Sequence, residues 1–158
     1  MALDIDPPSD LPHFIDRAAI SELVDRYSKL FDDRTFSETL PTLFTDDAFV
    51  ELPSGEHRGL DGLDKFHENV MAPFGPTQHL FTNTLVDTAG ERASFRTNTY
   101  VTHTVLAAAE SQSSDKGNYF LAGGTLTGTA LRTTRGWRFE KVVLDVIWRQ
   151  GNLDFRPQ

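Results

Sequence analysis

The 158-residue chain contains no cysteine, so it can form no disulfide framework, thiolate metal site or thiol nucleophile. That absence also fits a reducing compartment. Lys and Arg number only 15 against 23 Asp and Glu, for a net charge of −8. They form no basic run, which argues against a nucleic-acid backbone as partner. No window approaches the ~18 apolar residues of a spanning helix, so no membrane partner is expected. The first residues, Met1 to Pro8, lack the basic and apolar regions of a signal peptide, and a cytoplasmic setting is expected. No glycine-rich loop leads from a strand into a helix, which leaves nucleotide binding without support. What is present is a core: hydrophobic residues make up 39% of the chain and include 12 Phe. A single domain of this size buries roughly 68–70% of its unfolded surface, enough to enclose a pocket.

Residues 1–13, with Pro7, Pro8 and Pro12 among acidic side chains, read as a loose arm with His13 exposed. A helix follows, with Asp16 as its expected N-cap. Ile20, Leu23, Val24, Tyr27, Leu30 and Phe31 recur at the spacing of one buried helical face, and Glu22, Asp25, Arg26 and Lys29 fill the other. Thr35-Phe36-Ser37-Glu38 has the form of a capping box for a short second helix restricted by Pro41. Thr45-Asp46-Asp47 reads as a turn, 48–52 as a strand and 53–59 as a polar loop. A third helix is expected over 61–72, with Leu63, Phe66 and Val70 inward and His67 exposed. His57 falls in the loop. After Pro73-Phe74-Gly75-Pro76 the period changes to two, with strands at about 77–87, 92–107, 118–134 and 137–149. Short polar joints between long strands predict antiparallel hairpins, and helices followed by strands predict an α+β domain. Gly123-Gly124-Thr125 reads as a bend or bulge in a curved sheet.

Alternation puts Thr77, His79, Phe81 and Asn83 on one strand face. On the next strand Phe95, Thr97, Thr99, Val101 and His103 share a face. That is a mostly apolar row ending in one titratable group, as in a pocket wall with a single polar handle. Asp32 sits at a helix C-terminus, where the macrodipole disfavours negative charge by about 0.3–1 kcal/mol. Such an acid asks for a partner, and a histidine would serve. A carboxylate fixes a histidine's tautomer and raises its basicity, so Asp32, His79 and His103 together suit acid–base chemistry. The plain alternatives are two hydrogen-bonded structural histidines and a solvated helix-end acid. The trio also has the composition of a two-His-one-carboxylate set, but its spacings carry no metal signature; neither metal nor cofactor is expected. Tyr27 reads as core with its hydroxyl at the pocket rim. Tyr100 should point away from His103, and Asp145 could be a buried partner or a further pocket acid.

Several stretches together resemble the SnoaL-like branch of the nuclear-transport-factor-2-like superfamily, and within it the scytalone dehydratase type. They are Asp16-Arg17-Ala18-Ala19-Ile20 through Tyr27, Phe31-Asp32, Leu43 to Ala48, Thr77-Gln78-His79-Leu80, Tyr100 to His103, and the tail from Trp137 through Ile147-Trp148 to Asp154-Phe155. The resemblance spans about residues 14–155 as one domain. It implies a cone-shaped α+β barrel, with three N-terminal helices packed on a strongly curved, mainly antiparallel sheet around a central pocket. It also implies that Asp32 holds His79 and that His103 is the second pocket histidine. Tyr27, Phe31, Phe49, Phe81, Val101 and Trp148 are the expected substrate-binding residues. The chain departs from the dehydratase pattern in three places. Phe31 replaces a pocket tyrosine, the strand around Phe49 has no second tyrosine, and the region of Gly128-Thr129 lacks a pocket asparagine. These departures argue against scytalone itself as substrate.

The resulting expectation is a cofactor-independent dehydratase, cyclase or isomerase. It would act on a small hydroxylated carbonyl compound, hydrophobic or aromatic, and associate as a homo-oligomer. The alternative is a non-catalytic ligand-binding or assembly module, such as a dioxygenase β-subunit-like protein. An epoxide hydrolase of the same fold would instead carry paired carboxylates and a pocket arginine.

Overall fold

A computed structural model describes residues 11–106 and 119–151. The first ten residues, the polar loop after the second long strand and the Asp154-Phe155 tail lie outside the described residues. Helix α1 spans Leu11–Asp33, and its buried residues are Ile20, Leu23, Val24, Tyr27, Leu30 and Phe31, the stripe expected from the periodicity. Burying each such side chain contributes about 1.5–3 kcal/mol, which holds the helix on the sheet. α1 begins earlier than the arm boundary at residue 13 would have it. Asp16 is therefore not its N-cap but lies within the helix. Its carboxylate accepts from Trp137 Nε1 at 3.1 Å and pairs with the Arg132 guanidinium, tying the first turns of α1 to the sheet. His13 is half-buried and hydrogen-bonded to Thr88 rather than exposed.

Helix α2 spans Phe36–Leu43 and contains Pro41. Thr35 makes no side-chain capping bond, so the capping box does not form; its hydroxyl instead accepts from Thr39 at 2.9 Å. Strand β1, Phe44–Leu52, starts four residues before the expected strand and includes the Thr45–Asp47 segment read as a turn. Its pairing is irregular between Phe44 and Phe49, which accommodates that polar segment. β2, Gly55–Arg58, pairs antiparallel with β1 where only a loop was expected. Helix α3 spans Leu63–Met71 and buries Leu63, His67 and Met71, an i, i+4, i+8 line. Phe66 and Val70 are only partly buried against the core.

Four long strands follow: β3 Phe74–Ala89, β4 Arg92–Val105, β5 Tyr119–Thr133 and β6 Gly136–Gln150. The sheet order is β2-β1-β6-β5-β4-β3. β1 and β6 run parallel, and the other four pairings are antiparallel. The sheet does not close among the described residues: β2 and β3 are its edges, so the cone is an open one. Register shifts at Thr82/Leu85 in β3, and in β6 opposite Gly123/Gly124 and Thr129/Ala130, where Ile147 and Glu140 are the extra residues, mark bulges along the long strands. Such bulges bend strands and curve a sheet toward one face. The irregularity expected at Gly123-Gly124-Thr125 falls there, but the extra residue belongs to β6, opposite the two glycines. The helices cover the concave face, where Tyr27, Phe44 and Phe139 pack edge-to-face or tilted at 5.3–5.8 Å. No helix among the described residues is long and apolar enough to cross a membrane.

Candidate active site

Helix α1 ends against the start of β3, and the junction builds the site. Arg34 takes a left-handed backbone conformation (φ 58°), and its guanidinium donates to the carbonyls of Met71, Phe74 and Gly75. This one side chain clips the end of α3 and the entry of β3 to the last turn of α1. Thr77 and His79, two apart on β3, then face the same carboxylate. Asp32 Oδ1 accepts from His79 Nδ1 at 2.7 Å and from Thr77 Oγ1 at 2.9 Å, and Oδ2 accepts from the His79 backbone N–H at 3.0 Å. Burial pushes the Asp32 carboxyl up, but the bonds from the His79 ring, the His79 backbone and Thr77 together hold it below the usual carboxylate range. An ionised carboxylate can only accept, so His79 carries its proton on Nδ1 and offers Nε2 as a base.

The His79 side chain is 6% exposed, and its ring stacks on Phe31 at 4.9 Å. His103 approaches edge-on at 5.0 Å between ring centroids, and its own ring lies 4.2 Å from Phe74. Desolvation by burial, helped by the nearby His79, lowers the His103 pKa to about 4 against the opposing pull of the Phe120 backbone. His103 is therefore neutral at pH 7. Its Nδ1 is buried and has no hydrogen-bond partner among the described residues. A buried polar atom without a partner costs about 1–3 kcal/mol.

Both histidines line a cavity of about 780 Å³, its open mouth included. Tyr27 and Phe31 from α1, Val70 and Met71 from α3, Phe81 from β3, and Val101 from β4 form one side of the wall. Phe120, Ala122 and Leu126 from β5, with Leu144, Val146 and Arg149 from β6, form the other. The structure thus brings together Asp32, His79, His103, Tyr27, Phe31, Phe81 and Val101.

Two expected substrate contacts are not there. Phe49 alternates with the buried Ala48 and Val50 and faces away from the cavity, its ring covered by Arg58 at 4.4 Å and Lys141 at 5.6 Å. Trp148 lies on the outer face, 44% exposed, with its ring 5.7 Å from Tyr100. The reason is the β6 bulge. Gly123 pairs with Trp148 and Gly124 with Val146, so Ile147 is skipped and the alternation reverses. Asp145 is likewise exposed rather than a pocket acid. Tyr100 points outward, as its phase relative to His103 requires.

Two groups escaped the sequence reading. His67, placed on the exposed side of α3, is fully buried. Its Nδ1 donates to the Leu63 carbonyl at 2.8 Å, and its Nε2 accepts from the Tyr27 hydroxyl at 2.9 Å. The signal was the Leu63-His67-Met71 spacing, which competes with Leu63-Phe66-Val70 on the same short helix. Arg149 was missed because only the bulge turns it inward. It is one half of an epoxide-hydrolase signature, but no Asp or Glu side chain stands among the described residues of the wall. Nor do any three His, Asp or Glu side chains among the described residues group so as to hold a metal ion.

An open α+β cone with a pocket between its helices and its concave sheet is the nuclear-transport-factor-2-like fold. A family model described as SnoaL-like domain matches residues 12–143, and the chain belongs to that family. Solved structures show the same fold. A provisionally assigned scytalone dehydratase from Novosphingobium aromaticivorans is 19% identical, with TM-score 0.74 over 90% of this chain and 91% of that one. The hexachlorocyclohexane dehydrochlorinase LinA-type3 from Novosphingobium barchaimii is 19% identical, with TM-score 0.76 over 95% and 100%. A nuclear-transport-factor-2-like protein from Salmonella enterica is 17% identical, with TM-score 0.73 over 88% and 96%. At these identities the likeness is one of fold. No curated protein sequence is similar enough to the chain to count as a match.

Proposed function

We propose that this protein is a cofactor-independent dehydratase, cyclase or isomerase acting on a small hydroxylated carbonyl compound of polyketide or aromatic kind. The observation that carries the reading is the Asp32–His79 pair, whose free Nε2 belongs to a ring lining an apolar cavity beside a neutral second histidine. His79 Nε2 takes a proton from the carbon next to the substrate carbonyl. Asp32 stabilises the imidazolium that results, and the C–H electron pair moves onto the carbonyl oxygen as an enolate. His103, held neutral by burial, suits a hydrogen-bond donor to that oxygen better than a source of a full proton. The enolate pair then forms the carbon–carbon double bond, the C–O bond to the β-hydroxyl breaks, and the His79 proton leaves with it as water. Aldol closure or a double-bond shift uses the same first step. Water exclusion by the Phe, Leu and Val wall strengthens each of these interactions. Lyase names among the fold neighbours are consistent with this chemistry.

The test follows two signals on a panel of β-hydroxy ketones: deuterium exchange at the α-carbon by NMR, and enone formation by ultraviolet absorbance. Wild type should exchange and eliminate, and Asp32→Asn and His79→Gln should lose at least a hundredfold. A wild type that does neither on any member, or variants as active as it is, would sink the reading.

A further inference from the structure

Arg149 is the one Arg or Lys side chain among the described residues that line the cavity, and it makes no hydrogen bond or ion pair with any of them. Its position is built. Val142, Leu144 and Val146 would, by simple alternation, be followed on the cavity side by Trp148. The bulge opposite Gly123-Gly124 turns Trp148 out and Arg149 in. Neither glycine can be replaced without moving that arrangement. A Cβ on Gly123 would lie 2.4 Å from the Trp148 ring, and one on Gly124 would lie 2.1 Å from the Asp145 carbonyl oxygen. Two adjacent glycines and a tryptophan laid on the backbone thus place a guanidinium on a wall otherwise lined by Phe, Leu, Val and Ala.

The sheet register then relates that guanidinium to the base. Arg149 pairs with Ala122, Ala122 with Val101, and Val101 with His79, so the four stand in one row across β6, β5, β4 and β3. Three strand spacings of ~4.8 Å separate the two ends by about 14 Å along the backbone. On the concave face of a curved sheet, long side chains from both ends converge across that span. Val101 and Ala122, both small and apolar, are the floor between them. A ligand lying on this row meets a base at one end, a flat apolar strip in the middle and a planar cation at the other end. A guanidinium fork matches a carboxylate bidentately, and at the cavity's mouth it offers two parallel charge-assisted hydrogen bonds.

We propose that Arg149 sets substrate specificity by binding a carboxylate. The substrate is then an aromatic or polyketide-derived acid of about one to two rings. Its carboxylate lies at Arg149, and its acidic C–H and hydroxyl lie at His79. This deepens the catalytic reading above and rests on it for the His79 end alone.

Equilibrium binding tests the Arg149 end without turnover. Calorimetric titration with 2-naphthoate and with its neutral isostere 2-naphthamide is expected to show naphthoate bound at least tenfold tighter by wild type. Arg149→Met should erase that preference, Arg149→Lys should keep part of it, and His79→Gln should leave it intact. Arg149 is exposed at a strand end, so these variants are expected to fold, and the amide affinity reports directly whether the pocket survives. Equal binding of acid and amide, no binding of the acid, or a preference that persists in Arg149→Met would overturn the proposal. The two readings fail separately. An Arg149-dependent preference without any elimination activity sinks only the catalytic one. Elimination on neutral ketones by an enzyme indifferent to Arg149 sinks only this one.

Discussion

Two histidines flank the Phe31 ring, His67 at 5.4 Å and His79 at 4.9 Å between ring centroids, and their surroundings assign them different work. His67 spends both nitrogens inside the protein, one on the Leu63 carbonyl and one on the Tyr27 hydroxyl, and it is not part of the cavity wall. His79 spends one nitrogen on a carboxylate and keeps the other. Both side chains are buried, so burial does not distinguish them. The partner does: a carbonyl and a phenol satisfy a neutral imidazole, whereas a carboxylate also prepares it to take a second proton. Desolvation lowers the His67 pKa to about 4, so it stays neutral and structural at pH 7.

Breaking the dyad is expected to have the largest effect. Asp32→Asn removes the charge that stabilises the imidazolium and frees the wrong tautomer, and turnover should fall by roughly 10²–10⁴-fold. Steady-state kinetics at pH 7 check this, with unfolding by urea as a control for the fold. A drop under tenfold would place His79 with His67 among the structural histidines.

Breaking the other pair should separate stability from chemistry. His67→Ala strands the buried Tyr27 hydroxyl and leaves a cavity, and the loss of stability should be about 2–4 kcal/mol in urea denaturation. Turnover per folded molecule should change by less than a few-fold.

Acid sharpens the comparison further. The pKa values of His67 and His103 are near 4 when folded, against 6.5 when free. Between those values the unfolded chain binds more protons than the folded one. The stabilisation is therefore complete above pH 6.5, falls as pH drops, and is gone below about pH 4. Each histidine can contribute at most roughly 3 kcal/mol over that window. Urea midpoints measured from pH 7 to pH 4.5 should decline, and His67→Gln should flatten the decline. An unchanged slope in that variant would mean His67 is not the titrating group.

The smallest effect belongs to Thr77→Val. It removes one of three bonds to Asp32 and leaves His79 in place, so activity should fall about tenfold or less, as for one charge-assisted hydrogen bond. The Asp32 pKa should rise, read from the acid limb of the rate profile.

Much of this was legible in the chain. The α1 stripe from Ile20 to Phe31 is dictated by 3.6-residue periodicity, a local property that needs no partner to be read. The four long strands, the inward face of β4 and that of β3 as far as Phe81 follow from period two, although a register shift between Thr82 and Leu85 turns Asn83 out. The helix-end acid announced its need for a partner through the dipole. Legibility failed where two patterns competed or the period was broken. On α3, His67 and Phe66 offered alternative inner faces. At Asp16, a plausible cap was outbid by a distant Trp137 and Arg132. In β1, a polar Thr-Asp-Asp run was held in the sheet by its neighbours.

The sequence by itself determined which residues could do chemistry and, wherever the period runs unbroken and one stripe is offered, on which face of its own element each lies, because alternation and helical pitch are local. Only the tertiary structure decided which of them meet. Asp32 reaches His79 because Arg34 clips three distant carbonyls beside it, and Arg149 rather than Trp148 enters the pocket because a bulge opposite Gly123-Gly124 shifts the register by one residue. A one-residue slip reverses every side chain beyond it, and no local pattern records where that slip falls until the neighbouring strand is in place.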